Sequence, residues 1–157
     1  MRVPRPVRQS RIPLTLLLVL SATPLSAAIF TVGAGGAPCT HATINNALFA
    51  AIANGSVADE IRIARNQAYN NLSIQLTDWS PATVGAITLA GGYDDCADTT
   101  PTGTTTIDGG TLDPVIRVNT SSQAASNVTL RDLLLVGSSQ SGLRVEGGGN
   151  VTGMQLV

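Results

Sequence analysis

Apolar side chains at Ile44, Ala47, Leu48, Ala51 and Ile52 fall at the i, i+3, i+4, i+7, i+8 spacing of one helical face. Thr40 or Thr43 can cap the start of such a helix, and Asn54-Gly55 supplies a stop. The pattern predicts one amphipathic helix. Elsewhere the helical period is absent, and short β-branched runs alternate with Gly, Asn, Asp and Pro, as strands alternate with turns. The expected strands are Ile29–Val32 ahead of the helix, then 60–64, 72–76, 86–90, 104–107, 115–118, 128–130, Leu133–Val136, 143–145 and 151–157. Gly91-Gly92, Gly109-Gly110 and Gly147-Gly148-Gly149 read as turn punctuation between them.

One strand pattern repeats. Asn127-Val128-Thr129-Leu130-Arg131-Asp132-Leu133-Leu134 returns as Asn150-Val151-Thr152-Gly153-Met154-Gln155-Leu156-Val157. Repeats of such a length mark solenoids, in which no unit buries its apolar face until a neighbour stacks on it. The period, about 23 residues, also suits one three-sided coil, so the expected fold is all-β, a parallel β-helix. An antiparallel sandwich is the rival, because short strands with frequent turns suit it too. The helix has a physical job in the first case: it covers the apolar cross-section and open sheet edge of the first coil.

The N-terminus reads as a targeting segment, not as fold. Arg2, Arg5, Arg8 and Arg11 form a basic region, residues 12–20 an apolar one, and Ser26-Ala27-Ala28 offers small residues for cleavage. Residues 1–28 are therefore expected to be a signal peptide, with 29–58 an N-terminal cap and 59–157 the β-helix coils. No span of the membrane is expected after cleavage. The mature chain holds five Arg and ten acidic residues, and the sequence has no Lys. Its net charge of −5 lacks the concentrated basic patch that nucleic acid or an anionic membrane would need. Cys39 and Cys96 are the only cysteines, and an even count in an exported chain reads as a bridge. Closing that loop of roughly 58 residues is worth about 4 kcal/mol in the chain-entropy model.

These residues resemble secreted bacterial proteins of the right-handed parallel β-helix, or pectin-lyase-like, superfamily. The likeness is carried by the N-terminal strand, by Cys39-Thr40-His41-Ala42-Thr43-Ile44 leading into the helix, and by Ile87-Thr88-Leu89-Ala90-Gly91-Gly92-Tyr93 running to Cys96. The Thr106-Ile107-Asp108-Gly109-Gly110 turn adds to it. The resemblance implies a right-handed solenoid and an N-terminal portion of a longer protein, since such proteins have more coils. It implies little about activity, because the superfamily holds lyases, hydrolases, tailspikes and adhesins.

Candidate chemistry is sparse. Asp94, Asp95 and Asp98 form the densest acidic cluster and the candidate for Ca²⁺, an ion that takes six to eight oxygen ligands. No other cofactor is expected. Asp108, Asp113, Asp132 and Glu146 could serve a hydrolase, which needs paired carboxylates, and Arg117, Arg131 and Arg144 a lyase. The repeat argues against both, since Asp132 aligns with Gln155 and Arg131 with Met154. Trp79 is a candidate for stacking on a sugar ring, His41 is expected at the surface, and Asn127 and Asn150 as stacked turn residues. Asn54, Asn71 and Asn119, with those two, also head Asn-x-Ser/Thr triplets, read here as incidental. The expected function is an exported scaffold binding extracellular polysaccharide or a cell surface, with no catalytic site in this chain. The alternatives are the N-terminal part of a polysaccharide lyase or glycoside hydrolase, and an autotransporter passenger segment.

Overall fold

The computed structural model describes residues 26–55, 57–77, 85–120, 127–147 and 150–152. Residues 1–25, which carry most of the expected signal peptide, lie outside them, as do Trp79 and the end of the second repeat. Among the described residues the chain forms β1 (Ile29–Val32), α1 (Ile44–Ala53), β2 (Asp59–Ala64), β3 (Tyr69–Asn70), β4 (Ile74–Thr77) and β5 (Ile87–Tyr93). Then follow β6 (Thr105–Asp108), β7 (Ile116–Thr120), β8 (Asn127–Arg131), β9 (Leu133–Val136), β10 (Leu143–Gly147) and β11 (Asn150–Thr152). The described residues are mostly β, with one helix.

The strands assemble into three sheets, ordered β1-β2-β5-β8-β11, β3-β6-β9 and β4-β7-β10. Every pairing is parallel, which removes the antiparallel sandwich. From β2 onward each strand pairs with the one three places along the chain, so the backbone visits the three sheets in turn. Parallel registry sets residues of one orientation side by side. Ile61, Leu89 and Leu130 share one row, Ile74, Ile116 and Leu143 another, and Tyr69, Ile107 and Leu135 a third. All belong to or pack against one apolar core.

The sequence repeat survives as direct stacking, with Asn150 beside Asn127, Val151 beside Val128 and Thr152 beside Thr129. A uniform spacing does not. Ile87 lies beside Asp59 across a longer stretch of chain than parts the two asparagines, and Ile116 lies beside Ile74 across a longer one still. Sheet registry constrains the strands, while the connections between them vary freely on the outside. The two-residue β3 was missed because so short a strand shows no period.

Gly91-Gly92 is not a turn but the interior of β5, where the register with β2 shifts between Arg62 and Ala64. A Cβ on Gly91 would lie 2.2 Å from the Asp132 carbonyl oxygen, and one on Gly92 2.2 Å from that of Gly103. The pair thus permits a bulge under close backbone approach. Between β8 and β9 only Asp132 intervenes, and it makes the corner with φ of 55°. This is the left-handed region that Asp tolerates better than bulkier residues.

The helix matches its predicted stripe. Thr43 is the N-cap, accepting from Asn46 N at 3.2 Å, and Asn54 is the C-cap. Ile44, Ala47, Leu48 and Ala51 are buried against the same core as Val32, Ile61 and Ile63, so α1 covers the β1–β2 end. Burial thins toward the opposite end of the described residues. Leu76 and Val118 are fully buried, yet Val145, next in their row on β10, is 44% exposed.

A disulfide joins Cys39, on the β1–α1 connection, to Cys96, just after β5, with Cα atoms 5.0 Å apart. Such a bond is compatible with an extracellular location. No helix among the described residues is long and apolar enough to cross a membrane.

Candidate functional site

Alternation along β2 buries Ile61 and Ile63 and turns Glu60 and Arg62 to the outer face of the first sheet. Registry extends that face. Arg62 lies beside Ala90, and Ala90 beside Arg131, so two guanidinium side chains flank one small residue. The bulge in β5 then delivers Tyr93 alongside Ala64. These residues, scattered from position 60 to 131, meet at a single carboxylate oxygen. Glu60 Oε1 accepts from Arg62 Nε at 3.0 Å, from Tyr93 OH at 3.1 Å and from Arg131 Nη2 at 2.7 Å. Arg62 also lies over the Tyr93 ring, 5.4 Å from its centroid, within cation–π range.

The environment decides the charge states. Burial pushes the Glu60 carboxyl upward, but the hydrogen bonds from Arg62 and Tyr93, with the charges of Arg62 and Arg131, outweigh it and hold the group below its usual range. Burial first, then the Glu60 charge and hydrogen bond, push the Tyr93 phenol upward. At neutral pH the cluster therefore holds one carboxylate, two guanidiniums and a neutral phenol, a net charge of +1. Guanidinium forks match the geometry of carboxylate and sulfate oxygens, and both arginines are partly exposed.

A second cluster lies on the outer face of the β4-β7-β10 sheet. Gln75, Arg117 and Arg144 share a row, and Glu146 bridges the two arginines, Arg117 Nη2 at 2.5 Å and Arg144 Nε at 2.6 Å. The Arg117 hydrogen bond leads in holding the half-buried Glu146 carboxyl below its ordinary value.

The acids singled out in sequence do not converge on one another. Asp94 is bound by Arg65 and by Thr102, whose hydroxyl donates at 3.1 Å. Asp95 Oδ1 accepts from Ala97 N at 2.7 Å, and Asp98 Oδ2 from Asp95 N at 3.0 Å. Among the described residues no grouping of three His, Cys, Asp or Glu suits a metal ion. Asp108 accepts from Gly110 N, and Asp113 from Ser138 Oγ and Ser141 N, so both brace turns. His41 is not simply a surface residue. It bridges Val32, is half-buried, and meets Phe30 edge-on at 5.6 Å.

Of Glu60, Arg62, Tyr93 and Arg131 the sequence singles out only Arg131 as a site candidate, beside Arg117 and Arg144. The available signal was the two-residue alternation of β2, which sets Glu60 and Arg62 on one face. Comparison with protein-family models, with curated proteins and with solved structures finds no match for this chain.

Proposed function

We propose that this chain is an exported right-handed parallel β-helix whose outer faces bind an acidic extracellular polysaccharide or a cell surface bearing one. The three-fold recurrence of sheet membership supports the solenoid, and parallel crossovers within a sheet are right-handed in nearly all proteins. The observation that carries the binding reading is the outward cluster of Arg62, Arg131 and Tyr93 around Glu60. Its groups are held in place by one another, so a ligand meets a preorganised face and less ordering entropy opposes binding. The second arginine pair, Arg117 and Arg144, repeats the same chemistry on another sheet.

The test is a panel of immobilised acidic and neutral polysaccharides probed with the mature chain and with the Arg62→Gln/Arg131→Gln variant. Binding to an acidic member that weakens at least tenfold in the variant and falls with salt supports the reading. Equal binding by both proteins overturns it. Shortening of the polysaccharide on incubation would place the chain among the lyases or hydrolases instead.

A further inference from the structure

At the start of β2, Asp59 is only 4% exposed. Its Oδ1 accepts from Ala28 N at 2.8 Å and from Asn54 Nδ2 at 2.8 Å, while Oδ2 is buried with no hydrogen-bond partner. A buried carboxylate with an unsatisfied oxygen is costly unless a cation or further donors compensate. Arg62 and Arg131, the basic groups on the same sheet, are turned to Glu60 instead. One of the two donors already touching Asp59 is the backbone nitrogen of Ala28, which lies at the end of the expected targeting segment. It supplies one N–H as an amide. As a free N-terminus it would supply three and a positive charge.

We infer that an export peptidase cuts the Ala27–Ala28 bond and that the new Ala28 α-ammonium forms a buried ion pair with Asp59. Water adds across the amide: hydroxyl oxygen goes to the Ala27 carbonyl, which leaves as a carboxylate, and the Ala28 nitrogen gains the protons to become –NH₃⁺. Ala27 is the small residue required before the cut, with aliphatic Leu25 two positions earlier. The cut lies one bond before the Ala28–Ile29 cut that the Ser26-Ala27-Ala28 pattern favours. Cutting after Ala28 would remove a donor from Asp59 and also the Ala28 carbonyl that accepts from Glu60 N at 3.0 Å. Cutting before it keeps both and supplies the missing charge. There is room for the larger head group, since Ala27, Ala28, Ala58 and Asp59 border a cleft of about 360 Å³. The ion pair would lock β1 to β2 only after the leader has gone, which couples folding to export. This inference rests on the export part of the proposed function.

The chain has no lysine, so the α-amine is the sole primary amine of the mature protein and an amine-reactive reagent reports on it alone. Two measurements test the inference. The full 157-residue chain is exported from a bacterial host and its N-terminus determined by intact mass. The chain beginning at Ala28 is separately labelled with the reagent, native and unfolded, alongside its Asp59→Asn variant. An N-terminus at Ala28, with native labelling at least tenfold slower than unfolded and that protection lost in Asp59→Asn, is the expected result. An N-terminus at Ile29 overturns the cleavage site while leaving export intact, and a retained leader overturns export as well. Equal labelling rates in native and unfolded protein overturn the ion pair wherever the cut falls. Should Asp59→Asn fail to fold, the native-to-unfolded ratio of the parent chain still decides.

Discussion

Replacing Gly33 by alanine puts a new Cβ 2.8 Å from Cys96 Sγ and 2.9 Å from Cys39 Sγ, with Asn66 Oδ1 at 3.0 Å. The two sulfurs are tied to each other and cannot both withdraw, so the substitution is an overpacking of a crosslinked site, costing about 2 kcal/mol. Removing the bridge has its own cost. With a sequence separation of 57 between the cysteines, loop closure alone contributes about 4 kcal/mol in the chain-entropy model. The two effects are coupled, because Cys39→Ala/Cys96→Ala deletes the atoms that the new Cβ strikes. In the cysteine-free background Gly33→Ala should therefore cost about half as much or less, with Asn66, on a flexible side chain, moving aside. Four proteins complete the cycle: parent, Gly33→Ala, the double alanine variant and the triple variant. Urea unfolding of each gives the free energies, and a constant slope checks that the denatured states are comparable. A coupling energy near zero would refute the packing argument. Alkylatable thiols in native parent protein would refute the bridge itself.

Val118→Ala should cost about 2 kcal/mol by opening a cavity in the core, whereas Val145→Ala, in the same row but 44% exposed, should cost well under half of that; equal losses in thermal unfolding would mean that Val145 is as well packed as Val118. The Glu60 carboxyl is held below its usual value, so its contribution is present above the unfolded pKa and is lost as pH falls through the folded one; Glu60→Gln should flatten stability on that acid limb, and an unchanged acid limb would count against the cluster. Burial pushes the Tyr69 phenol up to about 12, so its contribution is complete below the ordinary value of 10.0 and is lost as pH rises toward 12. Tyr69→Phe should remove that alkaline loss and cost about 1 kcal/mol at neutral pH through the hydrogen bond to Ala64 O. Finally β9, β10 and β11 are edge strands of their sheets among the described residues, and Leu134 and Val136 are exposed on β9, so the protein should self-associate in sedimentation and Val136→Lys should weaken this; a concentration-independent monomer would contradict the prediction.

The helix, the cysteine bridge and the strand alternation were legible because each has a local signature. Ile44 to Ile52 keeps the period of one helical face, and Thr43 and Asn54-Gly55 mark its ends by their own backbone chemistry. Cys39 had a single possible partner. The Asn127 and Asn150 repeats announced their own neighbours, since parallel in-register stacking puts like beside like. Where stacked strands lack similar sequences, nothing local specifies which pair. Ile74 and Ile116 meet across a connection whose length the sheet does not restrict, and the Gly91-Gly92 bulge looks like a turn until the Asp132 and Gly103 backbones are seen against it. The Glu60 cluster and the Ala28–Asp59 contact belong to this second kind. Arg131 reaches Glu60 across 71 residues and Ala28 reaches Asp59 across 31, joined only by registry between strands distant in sequence. Side-chain alternation tells which face a residue takes, but only the packed sheets decide which residues share that face at one height, and that is where the chemistry of this protein is assembled.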